Sequence, residues 1–385
     1  MTSLIKTIGT DAANTGFGDL TVDAWGHPVS VQLQSLFHGM WTFDIPQSMW
    51  LVDEDGSEVA PASVTAVTSS GGAALLDTTG FTSCEMYSKR HPRYQPNRGH
   101  RYSTALWCPN PTNDGIREWG LFTDENGVFF RLKADGELYA VVKSGGVEDE
   151  QLLDTSGISG FDVSKGNVYD IQFQWRGVGN YKFFINLELV YEFAYLGTRT
   201  ALTMQNPALP VAYKCTNTTQ DVTMHIGCAD VTSEGGETAR EQYGSATGQA
   251  SGNNTDFPVV AIFNPLTIGG ETNTRDLRLA KVTASSTAKC SVSVWGTRDP
   301  AALTGEVFAA RGNGSYVEVD TTATAIVAAN AVLLTKFNVE ANAADRATNP
   351  SEGTIDYFIT RGDYIIVSYT GNSTVDVVIE WGEEI

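Results

Sequence analysis

The chain has 385 residues, 42% of them apolar, enough for two or three domains that each bury a core. It carries 45 acidic against 25 basic residues, a formal charge of −20, which repels a phosphate backbone and argues against nucleic acid as a partner. No run approaches the roughly 20 apolar residues that a membrane helix needs, so no membrane partner is expected.

Residues 1–19 contain one Lys and no long apolar stretch, which reads as a flexible or partner-bound arm rather than a secretory signal. Synthesis in a cytosol follows. The aromatic-dense stretch after it, with Trp25, Phe37, Trp41, Phe43 and Trp50, predicts a packed entry segment. Asp53-Glu54-Asp55-Gly56 is a turn, and Ser63–Ser69 with Ala73–Thr78 form a hairpin about Gly71-Gly72. Lys89 to Arg101 then places five of the 25 basic residues in one loop of an otherwise acidic chain.

The next ninety residues read as antiparallel strands: Arg101–Cys108, Arg117–Thr123, Val128–Leu132, Leu138–Lys143, Tyr169–Arg176, Lys182–Leu187 and Leu189–Phe193. Asp124-Glu125-Asn126-Gly127, Ala134-Asp135-Gly136, Ser144-Gly145-Gly146 and Gly177-Val178-Gly179-Asn180 separate them, with residues that tolerate the positive φ of tight turns. Tyr169, Ile171, Phe173 and Trp175 alternate with Asp170, Gln172 and Gln174. That pattern predicts one dry and one wet face, the dry one covered by a second sheet.

Gly, Ser, Thr, Asn and Gln dominate Glu234 to Asp256, which reads as a polar linker at 237–256. A second β pattern follows: Pro258–Phe263, Leu277–Thr283, Cys290–Trp295, Tyr316–Val319, Leu333–Val339, Thr354–Thr360, Tyr364–Tyr369 and Thr374–Trp381. Turns are expected at Arg311-Gly312-Asn313-Gly314 and Thr370-Gly371-Asn372. Ala323–Leu334 is ambiguous between helix and strand. The fold predicted is all-β: a jelly-roll, concanavalin-like sandwich at 20–236 and a smaller C-terminal β-sandwich at 257–385.

Lys89-Arg90-His91-Pro92-Arg93-Tyr94-Gln95-Pro96-Asn97-Arg98-Gly99-His100, with Tyr102-Ser103-Thr104-Ala105, resembles a motif of structural proteins of tailed-bacteriophage particles. Asp23-Ala24-Trp25-Gly26-His27-Pro28, Ser35–Met40, Gly120–Leu132 and Tyr169–Asn186 are similar to the same group. The resemblance spans roughly residues 20–236 and implies a laminin-G-like or concanavalin-like first domain in a virion component. It implies no enzyme and supplies no catalytic position.

Residue chemistry is consistent with that. Glu318-Val319-Asp320 lacks the third carboxylate of a retaining glycosidase strand and lies in the second domain. Trp119, Trp175 and Tyr195 would suit stacking on sugar rings, though alternating aromatics on strands are usually core. The Asp53–Gly56 and Asp124–Gly127 turns would suit a structural Ca²⁺, but neither is followed by a bidentate Glu, and no cofactor is expected. The five histidines show no metal-ligand spacing. Cys84, Cys108, Cys215, Cys228 and Cys290 read as buried thiols, with Cys215 and Cys228 facing each other across a hairpin at most. Arg361-Gly362-Asp363 reads as an ordinary turn.

The basic loop reads instead as an assembly contact, through Lys89, Arg90, Arg93, Tyr94, Arg98 and Arg101. The expectation is a non-enzymatic accessory component on the outside of the virion, at neck, collar or tail or decorating the capsid. Its partners would be further copies of itself, a trimer among the options, and other virion proteins. A glycan-binding receptor-recognition protein and a polysaccharide hydrolase are the other readings.

Overall fold

The computed structural model describes residues 33–41, 45–46, 49–59, 67–95, 98–112, 115–218, 220–234, 241–268, 271–273, 275–312, 315–339, 346–348 and 357–384. The chain divides into two compact units, Met1–Thr238 and Ala239–Ile385. The expected 1–19 arm lies outside the described residues, as do Trp25 and Phe43.

The first unit begins with β1 (Leu33–Met40), β2 (Trp50–Glu54), β3 (Ser57–Val59), β4 (Val67–Ser70), β5 (Ala73–Asp77) and β6 (Ser83–Ser88). Next come β7 (His100–Trp107), β8 (Gly115–Phe122), β9 (Gly127–Leu132), β10 (Leu138–Ser144) and β11 (Val147–Leu152). It closes with β12 (Asn167–Phe173), β13 (Tyr181–Ile185), β14 (Glu188–Phe193), β15 (Val211–Asn217) and β16 (Thr223–Glu234). Among the described residues all pairings of this unit are antiparallel, in two sheets. Sheet one runs β14-β13-β12-β7-β16-β5-β4, with β1 also along β16, and sheet two runs β11-β10-β9-β8-β15-β6-β2-β3. This is the jelly-roll sandwich that the alternating strands predicted.

Its core is aromatic. Trp119 and Phe130 of sheet two meet Tyr169 and Phe183 of sheet one, with ring centroids 5.0 to 5.2 Å apart across the sandwich. All four side chains are fully buried. The entry segment packs as expected for the described aromatics: Trp50 lies 5.3 Å from Phe37 and 5.4 Å from Trp41, and both tryptophans reach Tyr213. One expectation about β12 fails. Asp170 is buried, not wet, because Arg101 on the neighbouring β7 meets its carboxylate at 2.9 Å; Gln174, just past the strand, is buried too.

In the second unit the described part of the expected linker, residues 241–256, is strand. Glu241–Phe263 forms one strand of 23 residues, β17, paired along its length with the 21-residue Tyr364–Glu384. The register explains how so polar a stretch is ordered: Gly244 stands opposite Trp381, Ala246 opposite Ile379, Gly248 opposite Val377 and Ala250 opposite Val375. The partner supplies the apolar surface, and the small residues let it pack closely. Thr370-Gly371-Asn372 is not a turn either; it lies within the long strand, opposite the irregularity at Asn254–Phe257. There Asp256 takes a φ of +48°, and the ribbon turns a corner that brings Gly248 against the Val259 carbonyl. Strands that bend from one layer to the other in this way close small sandwiches. Leu277–Ser286 and Cys290–Thr297 share the far edge of Tyr364–Glu384.

Ala323–Leu334 resolves into a short strand at Ala325–Ile326, a 3₁₀ turn at Ala328–Asn330 and the start of the Val332–Val339 strand. Ala309–Gly312 pairs with Ser315–Asp320 about the expected turn, whose residues 313–314 lie outside the described set. Of the Thr354–Thr360 segment, residues 354–356 lie outside it, and Phe358–Ile359 is a strand. Cys215 does not face Cys228. It stands opposite Cys84 within sheet two, while Cys228 belongs to sheet one; all five thiols are free. Among the described residues no helix is long and apolar enough to cross a membrane.

Candidate functional site

The basic loop lies against its own domain. Tyr94 is buried, 4.8 Å from the His100 ring and 5.4 Å from the Trp175 ring, and its hydroxyl accepts from the Arg176 backbone N–H at 3.1 Å. Tyr94 is thus a core residue, not an interface residue. Arg98 donates to the Glu234 carbonyl at 3.3 Å, Gly99 N–H donates to the Glu234 carboxylate at 3.2 Å, and Arg101 is paired with Asp170. The loop is therefore no free hook; Lys89, Arg90 and Arg93 are half-buried beside it. His100, at its end, accepts from Gln95 N–H through Nε2, and burial holds its imidazole down to about 4.

The outward face of sheet two carries a charge row that follows from strand register. Leu152, Tyr139, Arg131, Glu118, Lys214, Glu85, Asp53 and Glu58 stand side by side on β11, β10, β9, β8, β15, β6, β2 and β3. Arg131 is its hub, 2.7 Å from Glu118, 2.7 Å from Glu148 and 3.1 Å from Glu150. Lys133 holds the other carboxylate oxygen of Glu150, Lys143 shares Glu148 Oε1 with Arg131, and Lys214 lies 3.2 Å from Glu85. Hydrogen bonds from Arg131 and then Lys143 bring the Glu148 carboxyl down to about 2, whereas burial pushes Glu85 up against the pull of Lys214. The next row, Val141, Phe129, Gly120 and Ala212, is apolar and covered by these long side chains. The pairs at Arg131–Glu118 and Lys143–Glu148 are legible in hindsight. Each is symmetric about a hairpin turn that the sequence already marked.

A cleft of about 380 Å³ opens between the β10–β11 hairpin and the 199–205 segment. Val142, Val147, Ala201 and Leu202 give it aliphatic walls, and Asp149, Arg199, Gln205, Ser144 and Thr203 bring polar groups. Asp149 Oδ2 accepts from the Tyr195 hydroxyl at 2.7 Å and pairs with Arg199, whose guanidinium lies 4.4 Å above the Tyr195 ring. The Gly145-Gly146 turn, left-handed at both positions, abuts Gln205. Buried Asn126 ties the two walls: its Oδ1 accepts from Gln205 N–H at 3.0 Å and Gly145 N–H at 3.4 Å. Sequence reading passed over this cleft, because its walls come from segments some fifty residues apart that carry no motif.

The remaining candidates are held by local structure. Trp119 and Tyr195 are buried, and the half-buried Trp175 donates its indole N–H to the Met204 carbonyl at 3.0 Å, so none offers an open ring to a sugar. Asp55 accepts from Thr82 and Ser83, bonds that pull its carboxyl below the usual range, and Asp53 accepts from Gly56 N–H at 2.6 Å. Among the described residues no three His, Cys, Asp or Glu side chains gather as a metal site would require. Asp320 caps the turn after it by accepting from Val307, Thr322 and Ala323. Asp363 of the Arg-Gly-Asp turn accepts from Thr360 and pairs with Arg298.

No protein-family model matches the chain, and no curated protein does. Among solved structures it is similar to an endo-1,3-beta-glucanase from Streptomyces sioyaensis, at 13% identity over 53% of this chain and 97% of that one, with a TM-score of 0.42. An endo-beta-1,3-glucanase from Pyrococcus furiosus matches at 11% identity over 54% and 97%, TM-score 0.40. The carbohydrate recognition domain of Emp46p matches at 12% identity over 52% and 98%, TM-score 0.36. Likenesses of this size say nothing about activity.

Proposed function

We propose that the protein is a non-enzymatic structural component on the outside of a tailed-bacteriophage particle, working as a homo-oligomer through contacts with its own copies and with other virion proteins. The resemblance of residues 20–236 to such proteins motivates the reading. One structural observation supports its non-enzymatic half: Glu118, Glu148, Glu150 and Glu85 on the outward face of sheet two sit in ion pairs with Arg131, Lys133, Lys143 and Lys214. A glycosidase needs two carboxyl groups able to act on one bond, one of them free to give up a proton. A carboxylate held by a guanidinium at about 2 is poorly suited to that work.

Density-gradient-purified particles, probed with antibody against this chain, test the proposal. The protein should co-sediment with the particle and survive high-salt washing. Recovery only in the soluble lysate, or release of reducing ends from host capsule or lipopolysaccharide by the purified chain, overturns it.

A further inference from the structure

The geometry points to a second role, independent of the particle reading: the cleft between the β10–β11 hairpin and residues 199–205 binds a neutral saccharide unit. Four observations converge on that ligand class. First, the cleft is of a size that takes a small ligand and mixes aliphatic walls with a few polar groups. Val147 and Leu202, 73% and 52% exposed, present apolar surface at its rim, suited to the C–H face of a sugar ring.

Second, a donor and an acceptor lie side by side. Both contacts to Asp149 fall on Oδ2, so Oδ1 takes no hydrogen bond among the described residues, and Arg199 has donors beyond that pair. A hydroxyl is both donor and acceptor, and vicinal hydroxyls would match such a pair, with the Gln205 side-chain amide beside it in the lining. Third, the ion pair neutralises the cleft locally while the chain as a whole carries −20, which disfavours an anionic ligand. Fourth, the walls are already fixed. Thr203 N–H donates to the Gly177 carbonyl at 2.9 Å, its hydroxyl meets Tyr181 at 3.0 Å, and Asn126 fastens Gln205 to the hairpin. Little ordering cost remains for binding.

The test uses the full chain with methyl-labelled Val and Leu, titrated to millimolar concentrations with glucose, galactose, mannose and N-acetylglucosamine, and with glucuronic acid as an anionic control. At least one neutral sugar should shift the Val142, Val147 and Leu202 methyls, and Leu202→Asp and Asp149→Ala should each weaken that Kd about tenfold or more. Leu202 is half exposed, so Leu202→Asp should leave the unfolding midpoint in place and carries the test if Asp149→Ala fails to fold. Shifts by none of the neutral sugars, tighter binding of glucuronic acid, or unchanged binding by Leu202→Asp overturns the inference.

Discussion

His100 lies in an aromatic stack, 4.8 Å from Tyr94 and 5.7 Å from Phe173, where an imidazolium would lose its water. Burial lowers its folded value to about 4 from an ordinary 6.5. Between those values the unfolded chain takes up a proton that the folded chain refuses. The stability this contributes is whole above pH 6.5, declines as pH falls, and is gone once pH has passed through about 4, a loss of about 3 kcal/mol. Urea unfolding at pH 7, 5.5 and 4 should show that decline, and His100→Phe, which keeps a ring in the stack, should flatten it. An equal slope in the variant would assign the pH dependence to other groups. The same loop shows what sequence reading could and could not reach at this scale. Its five cations were plain, but the groups that take Arg101 and Arg98 lie 69 and 136 residues away, and only the folded sheet brings them close.

At the scale of elements, strands bounded by Asn-Gly, Asp-Gly and Gly-Gly were legible because turn and alternation agree there. The 241–256 stretch of β17, read as linker, was missed because its alternation is small against polar rather than large against polar. Gly244, Ala246, Gly248, Ala250 and Gly252 occur at every second residue, with Ser245, Thr247, Gln249, Ser251 and Asn253 between them, a period of two that marks a strand whose partner brings the bulk. Reading low hydrophobicity as linker counted the strand's own side chains and not those across the ladder. Gly248 is the sharpest test, since a Cβ there would run into the Val259 carbonyl and the Val260 side chain. Gly248→Val should destabilise the second unit by about 1–3 kcal/mol through overpacking. Gln249→Val, on the exposed face, should cost far less. Differential scanning calorimetry of the full chain reads both, and equal effects would mean that the corner does not pack as described.

For the whole molecule, the proposed homo-oligomer poses the question of what would let copies of so acidic a chain come together. At −20 each copy repels the next over about a Debye length, roughly 10 Å at 0.1 M salt. The sequence suggested that the basic loop would offset this by reaching a neighbour. With Arg98 bound to Glu234, Arg101 bound to Asp170 and Tyr94 in the core, that loop has less charge to offer than its composition implied. In the proposed oligomer, attraction between copies would then come from surface that is not charge-complementary, and repulsion is the term that salt removes. Homo-oligomers of the purified chain should therefore strengthen as NaCl is raised, read by sedimentation velocity across a salt series at fixed protein concentration. Dissociation by salt would give the opposite answer: the contact would be electrostatic, Lys89, Arg90 and Arg93 would be its cations, and the loop would join copies after all.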